Sequence, residues 1–404
     1  MNDMLGSTAA ASDPVADATE KSRRSLLWLV LPLVALALAI LWLLTTDPLR
    51  SFRNGAPPVE NLTFERTILS SAGISVLVRA GGSEPMTVAQ VQVDDAYWQF
   101  TQDPPGPIAR GATAWIRLPF PWVLGEAHAI NIVTNTGATF GHEIAVAVPT
   151  PARDSLSLFH QGVLGAFVGL VPVAIGLMFY PALRGVGQGG MNFLLALTVG
   201  LLAFLFVDAL EDALELAGEA AALFQGHVMV VLAATASFLL LMAVGRRHGA
   251  PAGLALATFI ALGIGLHNLG EGLAIGAAFA SGAAGLGTFL VIGFTLHNIT
   301  EGIGIAAPIL KKRPPLAAFV GLALLAGGPA VIGLWIGSLA FAPQWSALAL
   351  AIGAGAILQV IVEVSFFLMR SSGTGLRALV APGAMAGLAA GVGFMFLTAM
   401  LVKI

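Results

Sequence analysis

Polar and apolar positions divide the chain into regions with different periods. Residues 1–24 are polar, rich in Ala, Ser and Asp, and end in "KSRR", which predicts a disordered cytoplasmic tail. Ser25–Thr46 is a leucine-rich apolar run. Its "SRRSLLW" start is similar to a secretory signal, but the run is long and lacks a small-residue cleavage site, so it predicts a retained anchor helix. Residues 56–150 instead alternate apolar and polar positions with the period of two of half-buried strands. The segments "LTFERTIL", "GISVLVRA", "TVAQVQVDD", "AYWQFTQ", "ATAWIRL", "AINIVTN" and "EIAVAVP", punctuated by Pro and Gly, predict about seven strands in an immunoglobulin-like all-β sandwich.

From His160 onward the alternation gives way to eight long apolar runs, near residues 160–183, 190–217, 225–245, 251–280, 285–310, 315–341, 345–369 and 378–402. Each is long enough to cross the hydrocarbon core as a helix. Composition agrees, because 57% of residues are hydrophobic and only 10% are charged, against roughly 25% charged in a soluble protein. The expected fold class is therefore an α-helical membrane protein, an eight-span bundle preceded by one anchor helix and an extracytoplasmic all-β domain. A net charge of -3 does not suit a nucleic-acid partner, and the lipid bilayer is the expected surrounding. The absence of cysteine excludes disulfides and thiolate ligands, so a metal site must use imidazole, carboxylate, amide or water.

Basic loop residues set an expected orientation, since Lys and Arg are retained on the cytoplasmic side. Lys21, Arg23 and Arg24 place the amino terminus inside. Alternate crossings then bring Arg184, Arg246 and Arg247, Lys311, Lys312 and Arg313, and Arg370 and Arg377 to that same side. The turns near 218–224, 281–284 and 342–344 carry no Lys or Arg, and only Lys403 falls on the wrong side. These charges predict nine spans in a cell (inner) membrane, with residues 56–150 periplasmic or extracellular.

Charges at bilayer depth are costly and point to function. Asp208, Glu211, Asp212 and Glu215 recur at i, i+3, i+4 and i+7, on one face near the outer end of their span. They are either a solvated helix end or a cation-collecting vestibule, and the lack of a basic residue in that segment favours the vestibule. Glu271 and Glu301 fall near the middle of their spans, while Glu363 lies toward an inner end with Gln359 one turn above it. Ordered by depth, these acids outline a cation path.

Two of them belong to a repeated motif, "HNLGEG" at 267–272 and "HNITEG" at 297–302. His and Glu four residues apart share a helix face, so His267, Glu271, His297 and Glu301 can supply four ligand atoms from two antiparallel helices. Such helices can be related by a pseudo-two-fold axis in the membrane plane. Imidazoles with carboxylates suit Zn(II), Fe(II) or Mn(II). Asn268 and Asn298 are either weak ligands or donors that hold the carboxylates. One such set is fairly often plain interhelical hydrogen bonding, but its duplication argues for a shared ligand. Gly265, Gly270, Gly272, Gly276, Gly302 and Gly304 predict close helix approach, and Pro308 predicts a kink.

A bundle whose fourth and fifth spans read "HNLGEGLAIG" and "HNITEGIGIAAPI" resembles the ZIP family of divalent metal transporters, particularly its bacterial members, over about residues 157–404. The resemblance implies metal influx toward the cytoplasm, zinc foremost with iron, manganese or cadmium as alternatives, and His267, Glu271, His297 and Glu301 as main ligands. It implies no enzyme activity and no cofactor beyond the transported ion. "FVDALEDALE" and "GAILQVIVEV" are similar to the family's outer and inner pathway segments. Three departures stand out. Gly270 and Thr300 replace the Pro that often precedes each motif Glu, the short "GRRHGAP" loop offers only His248, and Gly328 stands before Pro329 where many relatives have a second-site glutamate. The last departure predicts a single midplane metal. The anchor and the β domain lie outside the resemblance, and the domain is expected to be dispensable for permeation because every proposed ligand lies beyond residue 207. A homodimer is compatible with the sequence, which names neither it nor a ligand for the β domain.

Two rivals remain. An intramembrane metal-dependent hydrolase would need catalytic zinc with about three protein ligands and an open position, whereas two midplane histidines and no H-E-x-x-H are present. A receptor or sensor would use His128, His142, Glu143, Asp94 and Asp95 to gather metal outside, although scattered polar residues on a sandwich are usually solvated surface.

Overall fold

A computed structural model describes residues 28, 30–42, 45–46, 58–150, 155–247, 249–280, 284–340 and 342–402. The expected tail with Lys21, Arg23 and Arg24, the loop residue His248, and Lys403 lie outside the described residues. The first 58 residues form a unit of their own, whose described part is the apolar helix Val30–Trp42 within the expected anchor.

The β domain comprises β1 (Leu62–Ser70), β2 (Gly73–Ala80), β3 (Val88–Val93), β4 (Ala96–Trp98), β5 (Thr101–Asp103), β6 (Thr113–Leu118), β7 (His128–Thr134) and β8 (Thr139–Ile144). They make two four-stranded antiparallel sheets, ordered β1-β2-β6-β5 and β4-β3-β7-β8. Period-two patterning explains the burial: Ile74, Val76, Val78 and Ala80 of β2 point into one core with Ile116 of β6, Val91 of β3 and Ile130 and Ile132 of β7. Two segments depart from the expected strands. "AYWQFTQ" is not one strand but two, β4 and β5, on different sheets, and the crossing lets Trp98 and Phe100 both pack on the core. The last strand is "TFGHEI" rather than "EIAVAVP". A tight turn, in which Gly137 N–H donates to Thr134 O, sets Val133 opposite Thr139, so pairing starts at once. The chain then leaves the sheet, and Ala147 is buried with its N–H on Glu126 O.

Among the described residues, the bundle contains eight helices long and apolar enough to cross a membrane. They are α1 (Leu156–Leu183), α2 (Gln188–Glu219), α3 (Gly226–Gly245), α4 (Leu254–Ala280), α5 (Ala284–Ala306), α6 (Leu316–Ala340), α7 (Pro343–Ser372) and α8 (Pro382–Val402). This is the architecture of a multi-pass membrane protein. Helices α4 and α7 are the most buried, while α3 and α8 present apolar side chains such as Leu239, Leu240, Phe396 and Leu397 outward. A π-helical turn, Ala166–Leu170, interrupts α1. Pro308 does not kink α5; it sits in a 3-10 turn, Ala307–Ile309, that ends the helix, as its missing N–H allows.

Glycine lets two helix pairs touch backbone to backbone. A Cβ on Gly272 of α4 would lie 2.1 Å from Ala330 O of α6, and one on Gly333 of α6 would lie 2.1 Å from Leu269 O of α4. Gly302 of α5 and Gly176 of α1 repeat the arrangement, with a Cβ 2.2 Å from Val173 O and 2.0 Å from Ile299 O respectively. Gly265 and Gly276 likewise meet α6, whereas Gly270 faces Leu350 of α7 and Gly304 faces Thr198 of α2.

The β domain docks on the α6–α7 turn. Arg66 of β1 donates through Nη1 to Leu339 O at 2.9 Å and through Nη2 to Ser338 O at 3.5 Å, satisfying carbonyls at the C-terminal end of α6. Glu65, paired with Arg79, accepts from Gln344 Nε2 at 3.2 Å. At the opposite end of the bundle, Lys311 Nζ donates to Gln188 Oε1 at 2.8 Å, Tyr180 OH donates to Lys312 O, and Arg370 Nη2 donates to Pro251 O at 3.4 Å. The basic loops are thus gathered at the end remote from the β domain.

Replacing Gly272 by Leu is expected to cost at least about 2 kcal/mol, because the backbone of α6 has to move. Gly328→Ala, whose Cβ meets nothing within 4 Å, should be neutral or stabilising by up to about 1 kcal/mol. Thermal unfolding of the two purified variants in one detergent checks the contrast.

Candidate metal centre

The six motif residues come together between α4 and α5, and all are at most 5% exposed. Glu271 Oε1 lies 3.0 Å from His267 Nε2 and 2.7 Å from His297 Nε2. The asparagines cross between the motifs. Asn268 Nδ2 donates to Glu301 Oε2 at 3.3 Å and to Ala326 O of α6 at 3.1 Å. Asn298 Nδ2 donates to Glu271 Oε2 at 3.4 Å and to Val168 O, in the π-helical turn of α1, at 3.0 Å. Each motif therefore holds the other's carboxylate, and each is tied to the helix its glycines bring close. This reciprocity is what an in-plane pseudo-two-fold axis between antiparallel helices produces. Through Nδ2 the amides act here as donors that orient carboxylates, as one of the two expected roles requires.

Ligand atoms of His267, His297 and Glu301 all lie within 4.8 Å of one another. Glu271, the fourth expected ligand, instead sits between the two imidazoles. Several buried atoms of the centre have no hydrogen-bond partner: Glu301 Oε1, Asn268 Oδ1, Asn298 Oδ1 and His267 Nδ1. Three of these four are carboxylate or amide oxygens, which act as acceptors and do not donate, and each such atom left unpaired costs about 1–3 kcal/mol. A cation is the kind of partner such a set suits.

The other expected pathway residues fall on both sides of this centre. Toward the β domain, a cleft of about 710 Å³ is lined by Asp212, Glu215 and Glu219 of α2 and descends to Ala274 of α4, one turn from Glu271, and Leu290 of α5. Asp208, further along α2, lies with Asp212 within electrostatic range of His267. Glu211 is exposed and does not line the cleft, so the four acids do not share one role. His142 and Glu143 of β8 line the same cleft, so the β domain forms part of its wall, while the expected ligands themselves all lie beyond residue 207. Burial holds the His142 imidazole below the usual histidine range; it stacks on Phe64 and lies 2.9 Å from Thr67 Oγ1. The remaining outer candidates are not gathered there: His128 Nδ1 pairs with Asp94 Oδ2 at 2.8 Å, and neither they nor Asp95 line the cleft.

Toward the opposite end, Gln359 and Glu363 are both buried. Glu363 is not an unpaired acid as its surroundings in sequence suggest, because Arg246 Nε lies 2.7 Å from its Oε1. Sequence reasoning missed Arg246 and Glu219. The second continues the i+4 spacing from Glu215, but nothing local couples Arg246 to a residue so distant along the chain.

No family model matches the chain, and no curated protein matches it.

Gly328 adds no charge to the centre and faces open space. Two divalent ions side by side would meet too little negative charge to offset their mutual repulsion, so metal-loaded crystals should show one anomalous peak between α4 and α5. Gly328→Glu should permit a second, and two full peaks in the unaltered protein would overturn the single-ion geometry.

Proposed function

We propose that the chain is a divalent-metal transporter of the ZIP type that carries Zn²⁺ foremost, with Fe²⁺, Mn²⁺ and Cd²⁺ as alternatives, toward the cytoplasm. One observation carries this reading: the crossed Asn–carboxylate hydrogen bonds frame His267, His297 and Glu301 in the bundle interior, where oxygens lack partners. The acidic cleft on one side and the Gln359–Glu363 pair on the other give this centre an approach and a departure. A cation gathered by Asp212, Glu215 and Glu219 loses water against carboxylates rather than against lipid. At the centre it takes imidazole nitrogen and carboxylate oxygen. The hydrogen bond between Glu271 and His297, and the close approach of Glu271 to His267, are exchanged for bonds to the ion, since ligand nitrogens must present lone pairs.

Orientation follows from the basic loops gathered at the end remote from the β domain, which we assign to the cytoplasm of a cell (inner) membrane. The β domain then stands outside as the upper wall of the cleft. Its strand order corresponds to the A-B-E-D and C′-C-F-G sheets of immunoglobulin-like sandwiches and supports the immunoglobulin-like reading of this domain. The alternative, an intramembrane hydrolase, gives no role to a second polar pair beyond the centre.

Tracer uptake into proteoliposomes tests the function. His267→Ala with His297→Ala should reduce uptake to background, with membrane insertion retained, and Asn268→Ala should weaken apparent metal affinity by roughly 10–100-fold. Normal uptake by the double histidine variant would refute the assignment, and competition among metals ranks selectivity. For the topology, single cysteines at Ser83 and Lys312 of this cysteine-free chain should respond oppositely to an impermeant thiol reagent on intact cells; equal labelling would sink the orientation.

A further inference from the structure

The interior acids differ in what faces them. Glu271 and Glu301 meet imidazoles and amides, whereas Glu363 meets a full positive charge. Arg246, just past the C-terminal end of α3, places Nε 2.7 Å from Glu363 Oε1. The carboxylate side chain is 1% exposed and the guanidinium-bearing side chain 39% exposed, so the acid is fixed within the protein and the arginine reaches it from the rim. That guanidinium also lies over the Phe366 ring at 4.6 Å, a contact available to it without Glu363.

One helical turn before Glu363 lies Gln359, 1% exposed, with neither Oε1 nor Nε2 partnered; Glu363 Oε2 has no partner either. Interiors rarely keep buried polar atoms in this condition, and a bound ion is one of the partners that accounts for them. Here the free atoms include two oxygens, one turn apart on the same helix, of a type that divalent ions accept. The charged group paired with Glu363 at this end is a cation, Arg246.

We propose that Arg246 is a tethered counter-cation that gates the end of the path remote from the β domain, holding Glu363 until a divalent ion arriving at Gln359 and Glu363 displaces it toward the rim, with its contact to Phe366 kept. The inference rests on reading the interior acids as a cation path. Its physics is competition for one carboxylate. Without a partner Glu363 would be a buried lone charge, which Arg246 neutralises in the resting protein. An incoming doubly charged ion attracts the carboxylate more strongly than one guanidinium does and repels the guanidinium itself. Arginine suits the task because it stays charged whatever its surroundings and can rest on an aromatic face. While the pair is closed, the same charge opposes back-flow from the basic end.

Accessibility tests the gate independently of flux. A Gln359→Cys reporter in the cysteine-free chain is exposed to an impermeant thiol reagent in vesicles that present the end remote from the β domain. With Arg246 in place labelling should be slow. Arg246→Ala should speed it on the order of tenfold, Arg246→Lys should retain part of the protection, and the exchanged pair Arg246→Glu with Glu363→Arg should restore it. Size-exclusion profiles and a Glu363→Gln variant, which frees the arginine without removing it, separate gating from misfolding, since Glu363→Gln should also accelerate labelling. Metal uptake, read without the reporter, should survive Arg246→Ala and fail in Glu363→Ala. Equal labelling with and without Arg246 in a normally eluting protein would overturn the gate. Faster labelling in a chain that carries no metal would keep the gate and overturn the transport reading.

Discussion

A polar atom in the interior of a membrane bundle has no water to fall back on, and the arrangement of this protein around its two motifs follows from that constraint. Asn268 can hold Glu301 because its amide also finds Ala326 O, and Asn298 can hold Glu271 because its amide also finds Val168 O. Those carbonyls are within reach only because α6 and α1 approach α4 and α5 without intervening side chains, at Gly272 and Gly333 and at Gly302 and Gly176. Close backbone contact, amide orientation and carboxylate placement form one causal chain.

The same constraint shapes both ends, with opposite solutions. At the β-domain end the acids of α2 are left in an open cleft, where solvent reduces the cost of their charge, and the cleft gains a wall from β1 and β8. Arg66 fixes that wall by spending its positive charge on the α6 carbonyls rather than on the cleft acids. At the other end Glu363 is sealed from solvent, and there a neutralising charge is supplied directly by Arg246. A solvated acidic mouth and a neutralised interior acid make the bundle electrostatically asymmetric about a centre whose Asn–carboxylate hydrogen bonds are reciprocal.

Much of this was legible along the chain. Eight apolar runs are visible because a helix across a bilayer must be apolar for its whole length, and β2 is visible because burial on one sheet face imposes alternation on Ile74, Val76, Val78 and Ala80. The shared face of His267 with Glu271 and of His297 with Glu301 is likewise a property of helical rise and twist, fixed by spacing alone. Where a turn sets register or a chain changes sheets, as at β8 and between β4 and β5, local pattern did not suffice, because the same apolar residues can reach the core by more than one route.

Only the tertiary structure decided which polar groups meet. That Asn268 serves the carboxylate of the other motif, that Glu271 sits between both imidazoles, that Glu363 is answered by Arg246 and that His142 and Glu143 join the acids of α2 are outcomes of helix approach and domain docking. Periodicity assigns a residue to a face, since that depends on a few neighbouring dihedral angles. The partner across that face depends on how closely two backbones pack, and that distance is set by residues far away in the chain.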